Sequence, residues 1–130
     1  MKIKIPYNRR EITDGKLINN YGEITAELDL SINAERKWEA HFPALAEKET
    51  VFAYVERIQN AAQTPQNTAA VVISSIKALY CFLNSDDLES FDKFAGLFDL
   101  SDAETIRRQV KTLETALRLV ESGSAASSKN

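Results

Sequence analysis

Ile3 and Ile5 alternate with Lys2 and Lys4, and Tyr7 extends the alternation, so the apolar side chains fall on one face of an extended segment. Asp14-Gly15, between Ile12 and Leu17, predicts a tight hairpin turn, because glycine accepts the positive φ such a turn requires. From Glu23 to Leu30 the period of two is strict: Ile24, Ala26, Leu28 and Leu30 share one face, and Glu23, Thr25, Glu27 and Asp29 the other. One face of that strand must be buried, and a helix is expected to cover it.

From Ser31 the period becomes helical, with Ala34, Trp38, Phe42 and Leu45 stacked on one side; Pro43 should end or restart this helix. A second helix is predicted from Thr50 to Ala62 on the stripe Val51, Val55, Ile58 and Ala62, closed by Thr64-Pro65. The third, Asn67 to Leu83, is apolar nearly all round with Lys77 its single charge, and is therefore expected at the centre. Asn84-Ser85-Asp86-Asp87 offers an N-cap for a short helix bearing Leu88, Phe91, Phe94, Ala95 and Phe98. Ser101-Asp102-Ala103-Glu104 matches a capping box, and the last helix carries Ala103, Ile106, Val110, Leu113, Leu117 and Val120. That narrow seam suits packing on its own domain; self-association is the other reading.

The expected fold is thus mainly α with a small N-terminal β-hairpin or three-stranded sheet (α+β), its helices forming a compact bundle of four to five. Residues 1–121 form a single domain, strand-rich over 1–30 and helical over 31–121. Residues 122–130, small and Ser-rich, are expected to be a flexible tail.

Composition narrows the function. The chain has 130 residues, enough for one domain, and a formal net charge of −3, which gives no overall attraction to nucleic acid or anionic lipid. The charge is uneven: residues 1–20 hold Lys2, Lys4, Arg9, Arg10 and Lys16 against Glu11 and Asp14, a surplus of three, which leaves −6 for the remainder. A solvated hairpin or a basic docking patch would both carry it. No apolar run is long enough for a signal peptide or a membrane span, so the chain is expected to stay in the cytoplasm.

Catalytic constellations are not evident. Cys81 is the single cysteine and lies in an apolar run; His41 is the single histidine, so a Cys-His dyad would have to bring it to the most apolar helix. Asp86, Asp87, Glu89 and Asp92 gather at a helix start, where negative charge is favoured structurally. Arg107, Arg108 and Lys111 could meet phosphates, but Asp102, Glu104 and Glu114 share their helix, which reads as an alternating solvated face. No catalytic residue, metal site or cofactor is expected.

The runs Ala34-Glu35-Arg36-Lys37-Trp38-Glu39-Ala40-His41-Phe42-Pro43 and Ala46-Glu47-Lys48-Glu49-Thr50-Val51-Phe52-Ala53-Tyr54-Val55-Glu56-Arg57-Ile58 resemble a pattern of tail assembly chaperones from long-tailed phages of Gram-positive bacteria. The resemblance implies a non-virion protein of the host cytoplasm that binds the tape measure protein, keeps it soluble and promotes tail-tube assembly. It implies no enzyme. A small tail-completion factor or an adaptor is the alternative, and a homo-oligomer is compatible with either.

A chaperone of this kind must cover the exposed apolar stripes of a long helical partner. The candidate surface is Leu88, Phe91, Phe94 and Phe98; the same four groups could instead fill the core. The resemblance further implies a longer product made by −1 frameshifting, through which the major tail protein would be recruited. Ser128-Lys129-Asn130 can be encoded as TCA AAA AAC, which contains a slippery heptamer, and the Ser-rich tail would serve as linker.

Overall fold

The structure is a computed structural model and describes residues 2–61, 68–85, 88 and 90–128. Strands β1 (Lys2–Thr13) and β2 (Lys16–Leu28) form an antiparallel hairpin closed by Asp14 and Gly15, whose φ values are 54° and 75°. Positive φ at both central residues is the two-residue turn whose twist matches that of the strands. It sets Thr13 opposite Lys16, and the register then puts Ile5 opposite Ile24 and Ile3 opposite Ala26, all four buried. The hairpin is longer than the apolar alternation alone predicts, and β2 stops two residues before Leu30, where the Asp29 N–H turns to the Phe82 carbonyl at 2.7 Å.

Ser31 starts α1 (Ile32–His41) by accepting the Asn33 N–H at 3.2 Å. Pro43 restarts the chain as the first residue of the short α2 (Pro43–Ala46), a position where its missing N–H costs nothing. α3 (Val51–Ala61) follows, its first turn held by two caps. Thr50 Oγ1 accepts from Ala53 N at 3.2 Å, and the Glu35 carboxylate reaches from α1 to accept from Val51 N at 3.1 Å. The expected end of that helix at Ala62 and the Thr64-Pro65 stop lie outside the described residues.

α4 (Thr68–Phe82) is central, packed by α1, α3, α6 and the short α5 (Phe91–Ala95). Its last residue runs into β3 (Leu83–Asn84), which pairs antiparallel with Glu27 and Leu28 and completes a sheet of order β1-β2-β3. Leu83 is therefore a strand residue, not the end of the helix. The expected cap at Asn84 to Asp87 is also corrected: Asn84 belongs to β3, Asp86 and Asp87 lie outside the described residues, and Ser90 caps α5 by accepting from Lys93 N at 3.1 Å.

In α6 (Ala103–Ser128), Val110, Leu113, Leu117 and Val120 are buried against α4 and the hairpin, so the seam packs on its own domain. Its cap is Asp102, whose Oδ1 accepts from Thr105 N at 2.8 Å; Ser101 stands one residue too early for the capping box read from the sequence. The helical backbone continues to Ser128, where composition alone suggests an irregular linker. With no proline in the segment an established helix can propagate through its alanines and serines at small cost per residue, Gly123 costing about 1 kcal/mol. Lys129 and Asn130 lie outside the described residues.

The fold is α+β, a three-stranded antiparallel sheet packed with six helices among the described residues, two of them a single turn. Trp38 is fully enclosed at the centre of the α1 side, donating its indole N–H to the Glu49 carbonyl at 3.0 Å with the Tyr54 ring 4.7 Å away. Buried aromatics of this size are the largest single contributors to a core.

Candidate partner-binding groove

The four residues proposed from the sequence do not form one exposed stripe. Phe94 is completely buried, Leu88, Phe91 and Phe98 are half-buried, and Phe98 lies beyond the end of α5. The rings satisfy one another: Phe91 meets Phe42 edge-on at 5.0 Å and Tyr80 at 5.5 Å, and Phe94 meets Phe98 at 5.3 Å. This aromatic cluster closes one end of the core, because a five-residue helix gains its stability from what it buries. Phe94 is accordingly withdrawn from the partner-binding set.

His41 and Cys81 border the same polar cleft, together with Asp29, Arg36 and Lys37, yet they form no dyad. The Cys81 thiol directs its hydrogen to the Lys77 carbonyl at 3.5 Å, and burial pushes its pKa up to about 12, so it carries no thiolate near neutral pH. His41 instead lies edge-on to Tyr80, centroid to centroid 5.1 Å. Among the described residues no three His, Cys, Asp or Glu side chains are placed to hold a metal ion.

The basic N-terminal surplus is partly consumed within the fold. Arg10 reaches the segment before α6, its Nε 3.0 Å from Asp99 Oδ2 and its Nη2 donating to Thr105 Oγ1 at 2.9 Å, with Asp102 as a third acceptor. Arg108 pairs with Glu104 at 2.6 Å one turn away, as the alternating charge on that helix suggests.

What remains open and apolar lies along the seam where α6 packs beside β1. One cavity of about 420 Å³ is lined by Ile3, Pro6, Ala116 and Leu119 with Lys2 and Lys4 on its rim. A second, of about 190 Å³, is lined by Pro6, Tyr7, Asn8 and Tyr21 with Arg108 beside it; the two share Pro6 and Thr112 and so run on as one groove. Its length follows α6 from Thr105 to Leu119, roughly 20 Å at the helical rise; Lys2, Lys4 and Arg108 border it, Lys4 lying 4.0 Å from Glu23 and Arg108 paired with Glu104. Asn8 Oδ1 lies buried beside it with no donor among the described residues.

Beyond the groove the hairpin stands off the body. Residues 12–20 are exposed on both faces, and Ile12 (78% exposed), Leu17 (56%), Ile18 and Tyr21 (74%) are large apolar groups in water. Sequence reasoning did not select them. The usable signal was the inner face itself: after Ile3, Ile5 and Tyr7 it continues with Arg9, Glu11 and Thr13, which have no core to enter.

No family model, curated protein or solved structure matches this chain. No helix among the described residues is long and apolar enough to cross a membrane.

Proposed function

We propose that this chain is a tail assembly chaperone that acts by binding, holding the tape measure protein of a long-tailed phage until the tail tube encloses it. The observation that carries this reading is the apolar seam groove with its lysine rim, joined to the sequence resemblance already given. An amphipathic helix would lay its apolar stripe over Ile3, Pro6, Ala116 and Leu119 while acidic residues on its flanks face Lys2 and Lys4. Such docking is reversible, since a groove of this size buries only a few partner side chains, and a chaperone must release its client.

On this proposal the protein works in the host cytoplasm and is absent from the finished virion. A longer frameshift product would bring the major tail protein to the same complex, its extension following from the helical end of α6. Co-expression with the tape measure protein tests the reading. The wild-type chain should hold that protein in the soluble fraction, and Leu119→Glu, a change at a half-exposed position, should return most of it to the pellet. Equal insolubility with and without the wild-type chain would refute the proposal.

A further inference from the structure

The hairpin has two edges, and they are treated differently. Thr13 and Lys16 close the two-residue turn and exchange backbone hydrogen bonds, after which bonded and non-bonded pairs alternate along the ladder. Ile18, Asn20, Gly22, Ile24 and Ala26 therefore bond toward β1, and Leu17, Asn19, Tyr21, Glu23, Thr25 and Glu27 turn their N–H and C=O groups away from it. Glu27 confirms the phase, since it is one of the two β2 residues that β3 meets, opposite Asn84. The strand β3 stops there, so among the described residues no strand lies beside β2 from Leu17 to Thr25.

The outer edge of β1 is protected. Pro6 occupies one of its outward positions, where it removes a donor, and α6 packs beside the strand. The β2 edge has neither device, and its outward positions include two of the most exposed apolar residues, Leu17 and Tyr21. A long and partly apolar open edge is a template for another strand.

We propose that a second copy of this chain occupies it, the two β2 strands pairing antiparallel about a two-fold axis at Asn19. In that register Leu17 stands opposite the second copy's Tyr21, Asn19 opposite its own counterpart, and Tyr21 opposite the second copy's Leu17. Ile12, cross-strand from Leu17, joins them, so the apolar groups of both arms merge on one face of a continuous four-stranded ribbon. No like charges oppose each other: Lys16 faces the second copy's Gly22, and Glu23 faces its Gly15. An axis at Tyr21 would instead set Leu17 against Thr25 and Asn19 against Glu23, leaving the apolar groups unmatched.

Ile12, Leu17 and Tyr21, the exposed apolar side chains on that face, offer on the order of 400 Å² per copy, so the pair reaches about 800 Å², the size of a weak, transient contact. The dimer is therefore a weak one, of micromolar order. It leaves free the part of the seam groove lined by Ile3, Pro6, Ala116 and Leu119, while Tyr21, which lines the other part, is shared between the two surfaces. It also stands apart from the chaperone reading, since its test uses the purified chain with no client.

Sedimentation velocity over a range of concentrations should show a reversible monomer–dimer equilibrium. Tyr21→Lys should weaken the dissociation constant at least tenfold with an unchanged circular dichroism spectrum. In a Cys81→Ala background, Asn19→Cys should be crosslinked to a covalent dimer by a short bismaleimide far faster than Thr25→Cys. A chain that stays monomeric at millimolar concentration, or a dimer indifferent to Tyr21→Lys, overturns the proposal; equal crosslinking at both positions overturns the register.

Discussion

Arg10 on the hairpin and Asp99 before α6 form an ion pair at 3.0 Å in which the side chains are 22% and 12% exposed. The pair is held from behind. Gln109 of α6 accepts the Asp99 N–H at 2.7 Å and donates to the Asp99 carbonyl, so the residue that receives Arg10 is fixed by the helix it precedes. This tie links the root of the hairpin arm to the helical body across 89 residues of sequence. Replacing Arg10 by methionine keeps most of the aliphatic stem but leaves a mostly enclosed carboxylate without its cation, which should cost about 2 kcal/mol. Urea unfolding measures it, and Asp99→Asn added to the same chain should recover part of the loss. A loss that is unchanged in the double variant would mean that Arg10 acts elsewhere.

The Tyr7 ring lies across Gly22, its cross-strand partner, with ring carbon Cε2 2.9 Å from where a Cβ on Gly22 would stand. A side chain there must push the ring aside, losing its packing on the sheet. Gly22→Ala should therefore destabilise by about 1 kcal/mol. The cost should vanish, or change sign, in a Tyr7→Ala background, because the two positions share one volume. Additive losses in the cycle would show that glycine is needed at position 22 for some reason other than Tyr7.

These two relationships also mark where local pattern stops being informative. The hairpin turn, the buried face of β2, the restart at Pro43 and the central place of α4 were all legible, because each rests on a period or on a single residue with one backbone preference. β3 was not, since two residues carry no period and Leu83-Asn84 becomes a strand only because Glu27 and Leu28 stand beside it. The Glu35 cap on α3 joins residues 16 apart and had no local signature. Phe94 drops out of the candidate site for a related reason. Four phenylalanine and leucine positions at helical spacing look the same whether they face a partner or Phe42 and Tyr80, and the groove that is open is assembled from β1 and α6, about a hundred residues apart.

Phe94 and Phe91 should separate cleanly by mutation. Phe94 is wholly enclosed, so Phe94→Ala should cost about 3–5 kcal/mol, whereas Phe91→Ala, at a half-buried site, should cost about half as much or less. Guanidinium unfolding of the two single variants provides the comparison. If Phe94→Ala unfolded with the wild-type midpoint, the closed aromatic cluster would be wrong and the residue would return to the list of surface candidates.

Alkaline pH should destabilise the chain through Cys81. Burial raises the folded thiol to about 12, while the unfolded thiol ionises near its ordinary value of about 8.5. Between those limits the native state holds a proton that the unfolded state has lost, so raising the pH favours unfolding by up to about 1.4 kcal/mol per unit. Below about pH 8 both states are protonated and the group contributes no pH dependence. Tyr80 is also raised by burial and acts in the same direction at higher pH, so the wild-type slope alone does not isolate the thiol. Cys81→Ala does, since it removes one titration and leaves the tyrosine. Midpoints of urea unfolding measured from pH 7 to pH 10.5 should converge in dependence for the two proteins below pH 8 and diverge above it, the wild type falling more steeply. Parallel curves across the whole range would mean that the thiol titrates alike in both states, and that the helix around Cys81 opens to water far more readily than its burial against the core allows.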